Sequence, residues 1–276
     1  MIGNEINFRR MKPLNLPVLL ILLLIGGGAG AQSYNLLNFH ANTFWPNSPG
    51  HDVATSFPYT VTDLTTGTRD SKTFDGELKG KFTNPLYMFG ATLEVVRKHN
   101  GGDFGAGLFT ERGGDHGYYL QAGYKYVIAF GGLLLKPGLD FYYVRGIDKM
   151  GSIDNRQKEI YLLGYTARDQ FTITESDGYG DGGTVKNTYD AERLDVNYRR
   201  NSFLAQPKFT LATTFWNRIS LGFELGYMIQ IVQKASVNFE QNNHHASDSY
   251  SVGKVKLTQN GTLTGASAAV TVGVLF

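Results

Sequence analysis

From Pro85 to the C-terminus, apolar and polar residues alternate with a period of two, in runs separated by turn residues. In a strand, successive side chains point to opposite faces, so this period predicts strands with two unlike faces. Tyr87, Phe89, Ala91, Leu93 and Val95 share one face of the first run, with Met88, Gly90, Thr92 and Glu94 on the other. After the turn-like His99-Asn100-Gly101-Gly102, Phe104, Ala106 and Leu108 alternate with Gly105 and Gly107. Tyr118, Leu120, Ala122, Tyr124, Tyr126 and Ile128 oppose Gln121, Gly123 and Lys125. Leu133, Leu135, Pro137, Leu139, Phe141 and Tyr143 oppose Lys136, Gly138, Asp140 and Tyr142. Phe209 and Leu211 oppose Lys208, Thr210 and Ala212. From Ile219 to Ile231 the odd positions are apolar, while the even ones run Ser220, Gly222, Glu224, Gly226, Met228 and Gln230.

The pattern predicts an all-β chain of eight antiparallel strands, at about 85–98, 103–111, 117–129, 132–145, 157–175, 191–215, 218–240 and 250–276. Ten strands are the alternative, because Gly146 to Gln157 makes a long turn and Tyr59 to Phe82 offers a further hairpin. A soluble β-sandwich alternates in the same way. Three features favour a transmembrane up-and-down β-barrel: long apolar faces nearly free of charge, aromatics near strand ends such as Tyr118, Tyr143 and Tyr227, and opposite faces rich in glycine and polar residues. With Phe276 on the periplasmic side, counting back puts Trp216-Asn217-Arg218 and Arg112-Gly113-Gly114-Asp115 there too. Asp169 to Asn201 and Glu240 to Gly261 then become long outer loops.

The last run ends on an aromatic. Ala266, Ala268, Val270, Val272, Val274 and Phe276 alternate with Ser267, Ala269, Thr271 and Gly273. This strand resembles the C-terminus of bacterial outer-membrane proteins. From Pro85 to Phe276 the Gly- and Tyr-rich pattern is similar to the outer-membrane β-barrel domain family of the OmpA/OmpX type. The resemblance rests on pattern and not on a functional motif. It implies that Val270, Val272, Val274 and Phe276 form the signal read by the barrel-assembly machinery. It also implies residence in the bacterial outer membrane in contact with its lipid. No peptidoglycan-binding domain is expected after the barrel.

The N-terminus fits export. Arg9, Arg10 and Lys12 precede the apolar run Val18 to Ile25, which passes through small residues to Ala29-Gly30-Ala31. Basic, apolar and small segments in this order predict a cleaved signal peptide over 1–31, with Met11 as an alternative start. The apolar run falls short of the roughly 20 residues that span a bilayer. N-terminal sequencing of membrane-extracted protein is expected to begin at Gln32. A retained apolar segment would defeat the reading. Residues 32–84, with Pro46, Pro49 and Pro58, are read as a periplasmic lead-in, a plug or an added hairpin, and residues 85–276 as the barrel.

Composition narrows the chemistry. There are no cysteines, which excludes disulfides and thiolate metal sites. Taking Arg9, Arg10, Lys12 and Glu5 from 26 basic and 24 acidic residues leaves 23 of each, a balance that does not suggest nucleic acid as a partner. No segment after residue 31 has 18 consecutive apolar residues, so any membrane crossing there uses strands.

On the predicted register Glu94, Lys125, Lys136, Asp140, Lys208 and Glu224 face the lumen. An eight-stranded interior is just wide enough for side chains to fill it. Balanced charges there read as a salt-bridged plug, with a charge-lined pore as the alternative. Enzyme chemistry is not expected: His99, His116 and His244-His245 lack a serine partner in any hydrolase pattern. Gly101 to Gly107 reads as a turn entering a strand, since no helix follows. Asp177 to Gly183 lacks the closing glutamate of a calcium loop, and Asn260-Gly261-Thr262 is a formal glycosylation sequon. No metal or cofactor is expected. The function expected is a structural or surface-interaction role, with long outer loops meeting an extracellular ligand. The alternative is a small channel for ions or solutes.

Overall fold

The chain forms β1 (Tyr34–Pro46), β2 (His51–Asp63), β3 (Arg69–Lys81), β4 (Leu86–Arg97), β5 (Asn100–Glu111), β6 (His116–Tyr126), β7 (Ile128–Phe130) and β8 (Leu133–Asp154). It continues through β9 (Lys158–Leu162), β10 (Tyr165–Ala167), β11 (Gln170–Ser176), β12 (Thr184–Asp190), β13 (Arg193–Phe215), β14 (Ile219–Asn242), β15 (Ser249–Leu257) and β16 (Gly265–Leu275). These elements come from a computed structural model that describes residues 33–47, 51–81, 85–111, 116–130, 132–176, 184–216, 218–243, 249–257 and 263–276. The expected signal segment with Ala31 lies outside the described residues. So do Arg112 to Asp115, Asp177 to Gly183, His244-His245 and Asn260-Gly261-Thr262.

Eight strands close into an antiparallel ring in chain order: β1, β4, β5, β6, β8, β13, β14, β16 and back to β1. Closure leaves no unpaired strand edge in the ring. The closing ladder runs from Leu36 opposite Leu275 to Pro46 opposite Gly265. One end, called here the near end, carries Tyr34, Phe276 and short connections. Arg97 pairs with Asn100 across the two-residue turn Lys98-His99, and Phe215 pairs with Ile219 across Trp216 to Arg218. Lys98 and Trp216 take positive φ there, 58° and 50°. The long excursions leave from the far end.

Three ring strands outrun the others. β8, β13 and β14 have 22, 23 and 24 residues, and their mutual register continues outward to Asp154, Arg193 and Asn242. β14 pairs with β16 along its inner half and with β15 along its outer half. A second sheet, ordered β10-β9-β2-β3, faces this extension. Phe57, Phe74, Ile153, Ile160, Leu162, Leu194, Val196, Val237 and Phe239 are buried between the two. Phe57 stacks on Phe74 at 5.0 Å and meets Phe239 edge-on at 5.3 Å. Pro58 lies just past the last β2 residue that pairs with β9, so its missing N–H breaks no bond on that side. Asp63 closes the β2–β3 turn by accepting the Thr65 and Thr66 amides at 2.8 and 2.9 Å. Those bonds to Thr66 and Thr65 hold its carboxyl below the usual range. β11 and β12 form a separate hairpin.

The ring has the expected number of strands but not the expected members. Residues 34–46, read as part of a lead-in, supply β1. The single strand expected over 157–175 is three short pieces outside the ring, broken where Leu163 and Gly164 turn the chain with φ of 48° and 87°. Removing one strand reverses the side of every earlier connection. The link between Glu111 and His116 is therefore at the far end, opposite Trp216. Gly146 to Asp154 is no turn but the outer part of β8. The added hairpin left open over 59–82 does form, as β2 and β3, and packs outside the ring.

Candidate functional site

The ring inverts the usual distribution of polarity. Phe104 and Leu108, on its outer surface, are 68 % and 62 % exposed, whereas Glu94 and Asp140, inside it, are 1 % and 0 % exposed. Alternation places each group. Glu94 lies between the outward Leu93 and Val95 of β4, Lys125 between Tyr124 and Tyr126 of β6, and Asp140 between Leu139 and Phe141 of β8. All six charges expected in the lumen, Glu94, Lys125, Lys136, Asp140, Lys208 and Glu224, are buried there.

These charges form one connected chain. Lys136 reaches Glu94 Oε1 at 2.7 Å, and Lys125 reaches Glu94 Oε2 at 3.0 Å. Lys125 also meets Asp103 at 2.6 Å, and Asp103 lies 3.9 Å from Lys208. Lys208 ends the chain against Asp140 at 2.5 Å and Glu224 at 2.9 Å. Neutral donors fill some of the remaining acceptor sites, while Asp103 Oδ1 and Asp140 Oδ1 are buried without a hydrogen-bond partner. Tyr34 OH and Asn38 Nδ2 donate to Glu94 at 3.0 and 3.2 Å, Gln121 Nε2 to Asp140 at 2.5 Å, and Thr210 Oγ1 to Glu224 at 3.2 Å. Tyr142 donates to Gln206 at 2.8 Å, and Gln206 to Ser267 at 2.7 Å.

Asp103, Tyr34 and Asn38 were absent from the expected set. Asp103 is the first residue of the strand expected over 103–111 and shares the inward parity of Gly105 and Gly107; β5 itself starts at Asn100. Tyr34 and Asn38 belong to β1, whose own alternation could have revealed them.

Small residues make the space. A Cβ on Gly123 would lie 2.0 Å from Asp140 Oδ1 and 2.3 Å from Asp103 Oδ1. A Cβ on Gly90 would lie 2.2 Å from the hydroxyl of Tyr119, which meets His40 Nε2 at 2.5 Å. The open space among the charged residues is about 30 Å³, room for a water or two. Toward the far end an apolar layer follows, with Phe44, Leu86, Met88, Phe109, Val144, Leu204, Met228 and Leu263 around only about 20 Å³.

No protein-family model and no curated protein matches the chain. A paired, hydrogen-bonded cluster of this kind holds charge fixed. His99 sits at the near-end turn, where its Nδ1 lies 3.0 Å from the Val127 carbonyl oxygen, away from the cluster. No group of three or more metal-ligating side chains occurs among the described residues.

The terminal strand faces outward as its pattern predicts. Val270, Val272, Val274 and Phe276 are 56 %, 45 %, 49 % and 71 % exposed. Phe276 N donates to the Asn35 carbonyl at 3.1 Å, tying the end of the chain to the start of the ring.

Proposed function

We propose that the chain is a transmembrane β-barrel of the bacterial outer membrane, closed by its own side chains, with a structural or surface-interaction role. The observation that carries this is the inverted polarity: an exposed apolar wall around a buried ion-pair chain. A monomer in water rarely exposes contiguous apolar surface beyond a few hundred Å². On β14 the outward apolar positions run from Leu221 to Ile231. At about 3.4 Å per residue and a tilt near 40°, that stretch stands roughly 26 Å high, against about 25 Å for a membrane barrel's apolar band. Aromatics flank the wall at both levels, with Phe215, Trp216 and Phe276 at the near end and Trp45, Tyr118 and Tyr143 toward the far end. Short near-end turns and long far-end excursions match periplasmic and extracellular sides. On this reading the β2-β3-β9-β10 sheet is the part offered to an extracellular ligand or partner.

The test is conductance of purified protein in planar bilayers. The closed-lumen reading expects no steady single-channel current. Steady current would put a small channel for ions or solutes in its place.

Assembly supplies a second expectation. Phe276→Asp puts a charge beside Val274 at the junction of β16 with β1. A lower folded, heat-modifiable fraction on semi-native gels is expected, through impaired recognition by the barrel-assembly machinery. An unchanged fraction would count against the assembly role of Val270, Val272, Val274 and Phe276.

A further inference from the structure

On the outer surface, β8, β13 and β14 carry two successive rows of different chemistry. In the row nearer the near end, Tyr143 pairs in register with Phe203 and Phe203 with Val232. All three are exposed, at 39 %, 42 % and 48 %. Two residues farther out along each strand, Arg145 pairs with Asn201 and Asn201 with Lys234. An apolar row thus gives way directly to two cations flanking an amide.

The second row is organised. Arg145 Nη1 donates to Tyr118 OH at 3.2 Å, and the guanidinium lies 5.9 Å from the centre of that ring. Tyr143 OH donates to Asn201 Oδ1 at 3.1 Å, which leaves the amide hydrogens of Asn201 as donors. The next basic residues outward are already neutralised: Arg199 by Glu240, and Lys149 by Asp195 at 2.7 Å. Neither Arg145 nor Lys234 has a carboxylate partner among the described residues. Two uncompensated cations at the rim of an apolar wall attract an anion that brings its own apolar tail.

We propose that Arg145, Asn201 and Lys234 bind the phosphate of an anionic lipid headgroup, whose acyl chains lie on Tyr143, Phe203 and Val232. A guanidinium grips phosphate through parallel N–H donors, an ammonium adds a point charge, and the amide between them supplies a neutral hydrogen bond. A free anion would use the second row alone. A lipid uses both, and that is why the lipid is the assigned ligand. This inference rests on the membrane reading above.

The experiment keeps the two apart. Full-length protein is folded into phosphatidylcholine bilayers doped with phosphatidylglycerol, and the lipids retained after mild extraction are counted by native mass spectrometry. Heat-modifiable migration in pure phosphatidylcholine reports insertion alone, and its absence in wild type overturns the membrane reading and this inference with it. In inserted wild type, phosphatidylglycerol is expected to be enriched over its bulk fraction. Arg145→Gln with Lys234→Gln is expected to insert normally and lower that enrichment by about thirty-fold, from the usual attraction per basic residue. Arg145→Lys, which keeps the charge, should retain most of it. Arg69→Gln with Lys72→Gln removes the same charge from exposed positions on β3 and should change nothing. Equal losses in the two double variants would show unspecific attraction and overturn the site. Displacement by millimolar inorganic phosphate would make it a free-anion site and overturn the lipid assignment.

Discussion

Lys208→Met is expected to destabilise the folded protein by about 3–5 kcal/mol, the usual cost of removing one partner from a buried ion pair. Among the described residues Lys208 is the only lysine that meets Asp140 and Glu224, so its loss takes from both buried carboxylates the cation that pairs with them. Asp103 is less affected, because Lys125 still holds it at 2.6 Å. Glu224→Ala should cost less, since Lys208 keeps Asp140. The order Lys208→Met above Glu224→Ala is itself an expectation, read by denaturant titration of protein folded in lipid vesicles. Neither variant is expected to produce steady conductance, because the apolar layer from Phe44 to Leu263 closes the ring independently of the ion pairs. If Lys208→Met left stability unchanged and wild type already conducted, the interior charges would be lining a pore and the plug reading would be wrong.

Much of this interior is legible in the sequence. The six charges needed only strand parity, and parity survives errors in strand boundaries because a side chain's face depends on odd or even spacing alone. Sidedness did not survive. It depends on counting whole strands, and one miscounted strand over 157–175 reversed the end at which β5 stops and β6 begins. The miscount came from Leu163. A leucine with positive φ beside Gly164 gives little turn signal in sequence, so the three short strands β9, β10 and β11 read as one. β1 was overlooked for the opposite reason. Pro46, Pro49 and Pro58 mark irregular chain in general, yet Pro46 only ends β1, and Pro58 pairs with Thr73 of β3 just beyond the part of β2 that pairs with β9. The sandwich at the far end was also unreadable as such. Its strands alternate like those of the ring, and only their pairing separates the two. Ring and two-layer packing are continuous in this chain, because β8, β13 and β14 run from the ring into the two-layer extension.

The outer wall gives the sharpest test of the membrane reading, because the same substitution has different consequences in lipid and in water. Leu225 is 53 % exposed and sits midway along the outward apolar positions of β14, between Phe223 and Tyr227. In a bilayer, Leu225→Arg at the midplane is expected to cost about 2–4 kcal/mol, falling to about 0–1 kcal/mol near the interfaces. In water an exposed substitution of this kind stays within about 0.5 kcal/mol. The comparison therefore uses a depth series: Leu225→Arg against Ile231→Arg, which lies at the outer end of the same row and is 52 % exposed. Exposure is the same at the two positions, so burial within the protein cannot explain a difference between them. Unfolding free energies in vesicles should show Leu225→Arg the more costly by about 2 kcal/mol or more, following the depth dependence of arginine in barrels. Equal and near-zero costs would mean that the wall faces water or another protein surface. The inverted polarity of the ring would then require a different solvent from the one proposed.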